Sequence, residues 1–369
     1  MQQSDERKPR QLRYYIALSA PPTRRPADGS EPFMRPEAGF NPSWFRKYCG
    51  IDFSQRWHQD PKYRLECHAK MSDEINRRFD GRDIGGVNDS GPPDLLTGLY
   101  GSAPVPAMFG RQIKYFPDKW PAPHGEHLTD DQADALTPVD LKNNEFFQGI
   151  FGQLDKIKEL TGTATGFLNW QGVLNTSFRL RGEKIFMDLF DSPERAHHIF
   201  DCVATTMIEG IKMLLERQRQ HGAEYTFATI SNCVVNMISA EHYREHLLPY
   251  DLKIRAEFRD FGIHNCAWVV DPYMEAYATV PDLGYIDMGI TSDLVKAKRL
   301  FPEARRNILY TSMDLANKSE PEIRKDFEKI AMQLAPCDVG LPDIEVDVAD
   351  ERVILAMDLC EEMARKYWN

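Results

Sequence analysis

The sequence predicts an α/β chain: a (β/α)8 TIM barrel with an N-terminal extension and long loop insertions over the barrel mouth. Three observations carry this expectation. Eight short apolar runs are spaced along the chain, amphipathic helical stretches lie between them, and polar and thiol residues collect where the runs end. Strand-then-helix alternation argues for a parallel sheet with crossover helices. Eight units suit a closed barrel, and 369 residues are ordinary for one barrel with extensions.

Taken in order, residues 1–80 read as an extension or cap packed on the barrel, and 81–369 as the barrel proper, all within one domain. The first strand is expected near 12–19, in RYYIAL. The Pro-, Arg- and aromatic-rich stretch PPTRRPADGSEPFMRPEAGFNPSW then reads as loop, and Tyr63–Phe79 as helix. Further strands are expected in DIGGV (83–87), TATGFLNW (163–170), EYTFATI (224–230), GIHNCAW (262–268), LGYIDM (283–288), RNILYT (306–311) and CDVGL (337–341). Helices open at Ser192-Pro193-Glu194, at Ser239 and at Ser319, where a capping serine or an early proline suits a first turn. The irregular 91–128 stretch reads as a long loop. Together with Phe33, Phe40, Trp44, Phe45 and Trp57, it either shapes an apolar pocket or closes the barrel wall.

Composition narrows the function. With 42% hydrophobic and 27% charged residues, the chain has enough apolar material for a large core. Its net charge of −11 argues against a nucleic-acid partner and against an anionic membrane surface. The opening MQQSDERKPRQLRYY lacks the apolar core of a signal peptide. No run approaches the ~18–20 apolar residues of a membrane span. Seven scattered cysteines do not form a disulfide pattern, so the expected location is a reducing cytoplasm.

In a parallel barrel the chemistry sits where strands end. Those positions hold Asn232 and Cys233, then His264 and Cys266, Asp287, Tyr310, and finally Cys337. His264 and Cys266 are two apart on an expected strand and so share one face. An imidazole and a thiolate suit zinc, whose catalytic sites keep three protein ligands and one open position. Cys337 is the candidate third ligand; Cys233 either adds to the site or packs. The competing reading is that an isolated H-x-C is structural and a buried cysteine is a small hydrophobe. Asn232, Asn236, Asp287 and Tyr310 are candidate substrate-binding groups, with the asparagines and Asp287 also suited to orient a ligating histidine.

From about Gly166 to Cys360 the chain resembles the uroporphyrinogen decarboxylase superfamily, in its zinc-dependent corrinoid (cobamide) methyltransferase branch. The stretches GFLNWQGVLNTSFRLRG, DLFDSPERAHHIFD, ISAEHYREHLLPYDLKI, FGIHNCAW and APCDVGLPDIEVDVADERV carry the likeness. The resemblance implies Zn2+ on His264, Cys266 and Cys337, which act catalytically through the metal. It implies methyl transfer between a small O-, N- or S-methyl compound and the cobalt of a corrinoid. No D-x-H-x-x-G segment is present to bind cobalamin, so the corrinoid is expected on a separate protein. A homodimer is also compatible with the superfamily. The alternatives are a methylcobamide:thiol methyltransferase and a tetrapyrrole decarboxylase. The latter fits less well, because its R-Q-A-G-R segment is missing; TRRPADG and FMRPEAGF are the nearest stretches.

Overall fold

Strands between residues 227 and 344 form because their side chains are buried on both faces, as a parallel sheet under helices requires. A computed structural model describes residues 11–17, 22–25, 32–79, 82–87 and 91–368. Among these it contains β1 (Met34–Phe40), β2 (Gln112–Lys114), β3 (Ala122–His124), β4 (Phe227–Ser231), β5 (Asp260–His264), β6 (Leu283–Gly289), β7 (Arg305–Leu309) and β8 (Cys337–Ile344). Six of them make one sheet, in the order β1-β8-β7-β6-β5-β4, and β2 and β3 form a separate antiparallel hairpin. All five ladders of the large sheet are parallel. Every residue of β6 and β7 is buried.

The five C-terminal strands fall in the apolar runs that predict them. The N-terminal part differs. Residues 11–17 make no strand, and the remainder of the expected 12–19 strand lies outside the described residues. The first strand is instead Met34–Phe40, drawn from the proline-rich stretch read as loop. Pro36 is tolerated there because, among the described residues, β1 is an edge strand that pairs with β8 alone. DIGGV turns rather than extends: Gly85 and Gly86 both take positive φ. TATGFLNW stays irregular but runs beside β4, with Ser231 N donating to Gln171 O at 3.1 Å and the Phe167 and Phe227 rings 5.7 Å apart. Among the described residues no strand joins β1 to β4.

Helices cover the outer face, chief among them Pro61–Phe79, Glu145–Thr161, Pro193–Gln220, Glu320–Gln333 and Asp350–Tyr367. Ser319 and Glu322 form a reciprocal capping box, and Ser239 caps its helix through His242 N. Ser192 makes no such bond; Pro193 in the first turn marks that start. Residues on both sides of position 80 share one hydrophobic core. Met34–Phe40 belongs to the main sheet. No helix among the described residues is long and apolar enough to cross a membrane.

Phe40, Trp44, Phe45 and Trp57 are buried core residues, whereas Phe33 is half-buried against Trp368. Their block also encloses two imidazoles, His58 and His68, each fully buried. Burial, reinforced by the charge of Arg64, lowers His58 to about 3 and His68 to about 4. The unfolded chain binds these protons from pH ~6.5 downward, while the folded chain refuses them until lower pH. Stability contributed by the neutral rings is therefore present above pH 6.5 and drains away as pH falls toward 4. At pH 5 the loss is roughly 2 kcal/mol per ring. Thermal unfolding at pH 7 and 5 should show this fall, and a His58→Gln/His68→Gln double variant should flatten it. An unchanged slope in the variant would contradict the assignment.

Candidate metal centre

His264 ends β5, and Cys233 follows β4 by two residues. The β4–β5 ladder pairs Ser231 with His264, so register alone brings the loop after β4 beside the histidine. Asn232 N then donates to His264 O at 2.6 Å. The strand stops at His264, which changes how Cys266 reaches the site. Rather than alternating along an extended segment, Cys266 takes a left-handed backbone, φ 59°. That conformation costs a residue with a Cβ on the order of 1–2 kcal/mol. The turn folds the thiol back toward the imidazole, with Cys266 Sγ 3.2 Å from His264 Nε2. Gly289 permits the turn, because a Cβ there would meet Ala267 O at 2.1 Å.

The result is a cluster of Cys233, His264 and Cys266 whose ligand atoms all lie within 4.8 Å of one another. Cys266 Sγ donates to Cys233 Sγ at 2.7 Å, too long for a disulfide of about 2.05 Å, and both thiols are free. This bond from Cys266 holds the Cys233 thiol down at about 5, burial opposing and the His264 charge assisting. The same bond pushes Cys266 the other way, and burial adds to it. The hydrogen bond thus moves the two thiols in opposite directions. Burial disfavours charge on His264, but Asp287 and the two sulfurs outweigh it and raise the imidazole well above its ordinary value.

Asp287, fully buried on β6, fixes the ring. Its Oδ2 meets His264 Nδ1 at 2.5 Å, and Oδ1 accepts from Asn265 N at 2.5 Å. Tyr285 donates to the same carboxylate at 2.9 Å, and Asn307 donates to Tyr285 at 3.0 Å. Nδ1 is therefore committed, and Nε2 is the nitrogen that faces the thiols. From the other side, Asn232 donates to Asp251, which also receives Tyr243 from a π-helical turn over Tyr243–Leu247. Burial lifts Asp251 to about 6.

Two sequence expectations are corrected. Cys337 opens β8, fully buried opposite Met34, whereas His264 closes β5; in a parallel sheet these are opposite ends. Cys337 therefore does not join the cluster, and Cys233 holds the third place. Tyr310 is likewise turned away: its hydroxyl donates to Asp326 on the covering helix at 2.9 Å, and its ring meets Phe327 edge to face. Of the other candidates, Asp287 and Asn232 support His264, and Asn236 is exposed on the loop after β4. Reading for ligands at fixed spacing favoured the H-x-C pair over Cys233. Its signal was its place directly after the fourth strand.

A cavity of about 430 Å3 opens beside the cluster, with Phe167, Leu168 and Trp170 as apolar wall and His264, Ser231 and Asp343 as polar points. Asp343 has φ 50° and accepts from Trp120 Nε1 at 2.9 Å. Although reachable from the cavity, its carboxyl is raised by surrounding protein, with the indole N–H opposing. Asp343 lies in the APCDVGLPDIEVDVADERV stretch and Trp120 in the 91–128 loop, but neither stands out from the sequence as a site residue.

The donor set fits zinc: two sulfurs and one imidazole nitrogen, the ring oriented by a carboxylate, with room for a fourth ligand. No protein-family model matches the chain, and no curated protein matches it. Among solved structures, a methyltransferase from Methanosarcina mazei is similar with a TM-score of 0.63 at 15% identity, over 90% of this chain and 94% of that one. The two share a fold.

Elemental analysis should find about one zinc per chain in the wild type. Cys233→Ser and Cys266→Ser should lose it, whereas Cys337→Ser and Tyr310→Phe should keep it. Asp287→Asn should weaken zinc binding by about 10–100-fold. Zinc lost on Cys337→Ser but kept on Cys233→Ser would refute this ligand set.

Proposed function

We propose that this chain is a zinc-dependent methyltransferase that moves a methyl group between a small O-, N- or S-methyl compound and the cobalt of a corrinoid protein. The observation that carries the reading is the three-ligand cluster at the C-terminal strand ends, where barrel enzymes place their chemistry. The fold shared with a methyltransferase supports it, as does the sequence resemblance to the corrinoid branch.

Cys233, His264 and Cys266 would hold the zinc, which when bound supplies Lewis acidity at the heteroatom carrying the methyl group. The remaining work belongs to the chain. Asp287 keeps His264 Nδ1 occupied, so Nε2 faces the metal position. Two thiolate ligands and one neutral imidazole would cancel the charge of a divalent ion, so the loaded site would be neutral overall. Phe167, Leu168 and Trp170 give the adjoining cavity an apolar wall against which a methyl-bearing donor would pack. The corrinoid arrives on another protein, and the donor is a small molecule.

Visible spectroscopy of cobalamin tests the proposal. Zinc-loaded protein with Co(I) cobalamin and a panel of methyl ethers, methylamines and methyl thioethers should convert the Co(I) spectrum to that of methylcobalamin for one class. Cys266→Ser should abolish the change. Conversion seen only when methylcobalamin is mixed with thiols would reverse the direction and identify a thiol methyltransferase. No change in either arm, with zinc bound, would remove methyl transfer from consideration.

A further inference from the structure

Arg179 lies on the Val173–Arg181 helix, whose start abuts the end of β4: a Cβ on Gly172 would meet Ser231 O at 2.3 Å. On that helix, Asn175 accepts from Val234 N at 3.0 Å, directly after Cys233. Arg179 follows Asn175 by four residues and so shares its face, toward the same loop. Its side chain is half-buried, its Nε is fully buried, and it has no hydrogen-bond or ion-pair partner among the described residues. Cys233 is the ionisable group whose charge acts on it.

The contrast with its neighbours is chemical. Arg181, two residues on, is bound by Asp188, Asp130 and Leu128 O. Arg64 reaches Gln153 and two carbonyls, and Arg305 is held by Asp338. The chain carries 56 acidic against 45 basic side chains, so acids are plentiful, yet none of the described ones pairs with Arg179. No carboxylate among the described residues holds it, and the sulfur of Cys233, the charge that acts on it, would be taken up by the metal. A partly desolvated guanidinium so placed is costly unless something external satisfies it. A planar carboxylate matches its fork.

We infer that Arg179 is an anion anchor beside the metal centre, and that the methyl-bearing substrate carries a carboxylate. The inference rests on the proposed methyl transfer for the substrate's identity, but the anion site stands on Arg179 itself. A carboxylate held there sets one end of the substrate next to Cys233 and leaves the methyl-bearing heteroatom to the metal position. Arg179 is a binding residue; it takes no part in the bond changes.

Isothermal titration of zinc-loaded protein with 4-methoxybenzoate, benzoate, 4-methoxytoluene and inorganic phosphate tests it, with zinc content measured alongside. Wild type should bind both carboxylates. Arg179→Gln should retain zinc and weaken carboxylate binding at least tenfold more than binding of the neutral ether, with Arg179→Lys between the two. Equal weakening of acid and ether, or no carboxylate binding by wild type, overturns the proposal. Arg179-dependent binding of phosphate without carboxylate also overturns it, and assigns the anchor to a phosphodiester such as that of the corrinoid. Carboxylate binding that depends on Arg179 in a protein inert toward cobalamin would keep the anchor and remove methyl transfer. Methyl transfer from neutral donors with no effect of carboxylates would do the reverse.

Discussion

The contact between His264 and Asp287 sets the terms for the whole site. It joins the end of β5 to β6 at 2.5 Å, with the carboxylate fully buried. A buried carboxylate needs its lone pairs satisfied, and here they are taken by the imidazole, the Asn265 amide and the Tyr285 hydroxyl. One residue thereby orients the ring and pins the backbone from which Cys266 turns back. Had Asp287 faced another partner, neither ring nitrogen would have a defined role.

The sheet makes that arrangement possible at little expense. Parallel register places the ends of β4, β5 and β6 side by side, so the loop after each strand needs only a short excursion. Within the cluster the left-handed backbone falls on Cys266, and the glycine at 289 gives it room. Behind the cluster, the Asn307–Tyr285–Asp287 chain carries the hydrogen bonding on to β7 and reaches β8 through Gly340. The centre is thus supported by the β5–β8 part of the sheet. The segment ahead of β4 supplies cavity wall through Phe167, Leu168 and Trp170.

Much of this was legible from residue patterns, and the exceptions share a cause. β4 to β8 were visible because doubly buried strands appear as apolar runs. β1 was hidden because Pro36 and Glu37 break the run, an allowance that only an edge position makes. His264 and Cys266 were found through their spacing, although a turn, rather than strand alternation, brings them together. Cys337 misled because CDVGL shows a strand without showing which end of it faces the mouth. Its cysteine begins the strand; the C-terminal end, at Asp343, is what reaches the cavity. Cys233 and Arg179 depend on the pairing of separate elements, which no local pattern encodes.

The central claim is a zinc ion held by one nitrogen and two sulfurs of this chain. X-ray absorption at the zinc edge reads that directly. The account predicts two sulfur neighbours near ~2.3 Å and light-atom neighbours near ~2.0–2.1 Å. The sulfur count should fall to one in any residual metal bound by Cys233→Ser and stay at two in Cys337→Ser. A wild-type spectrum with a single sulfur, or with two that survive Cys233→Ser, would contradict it.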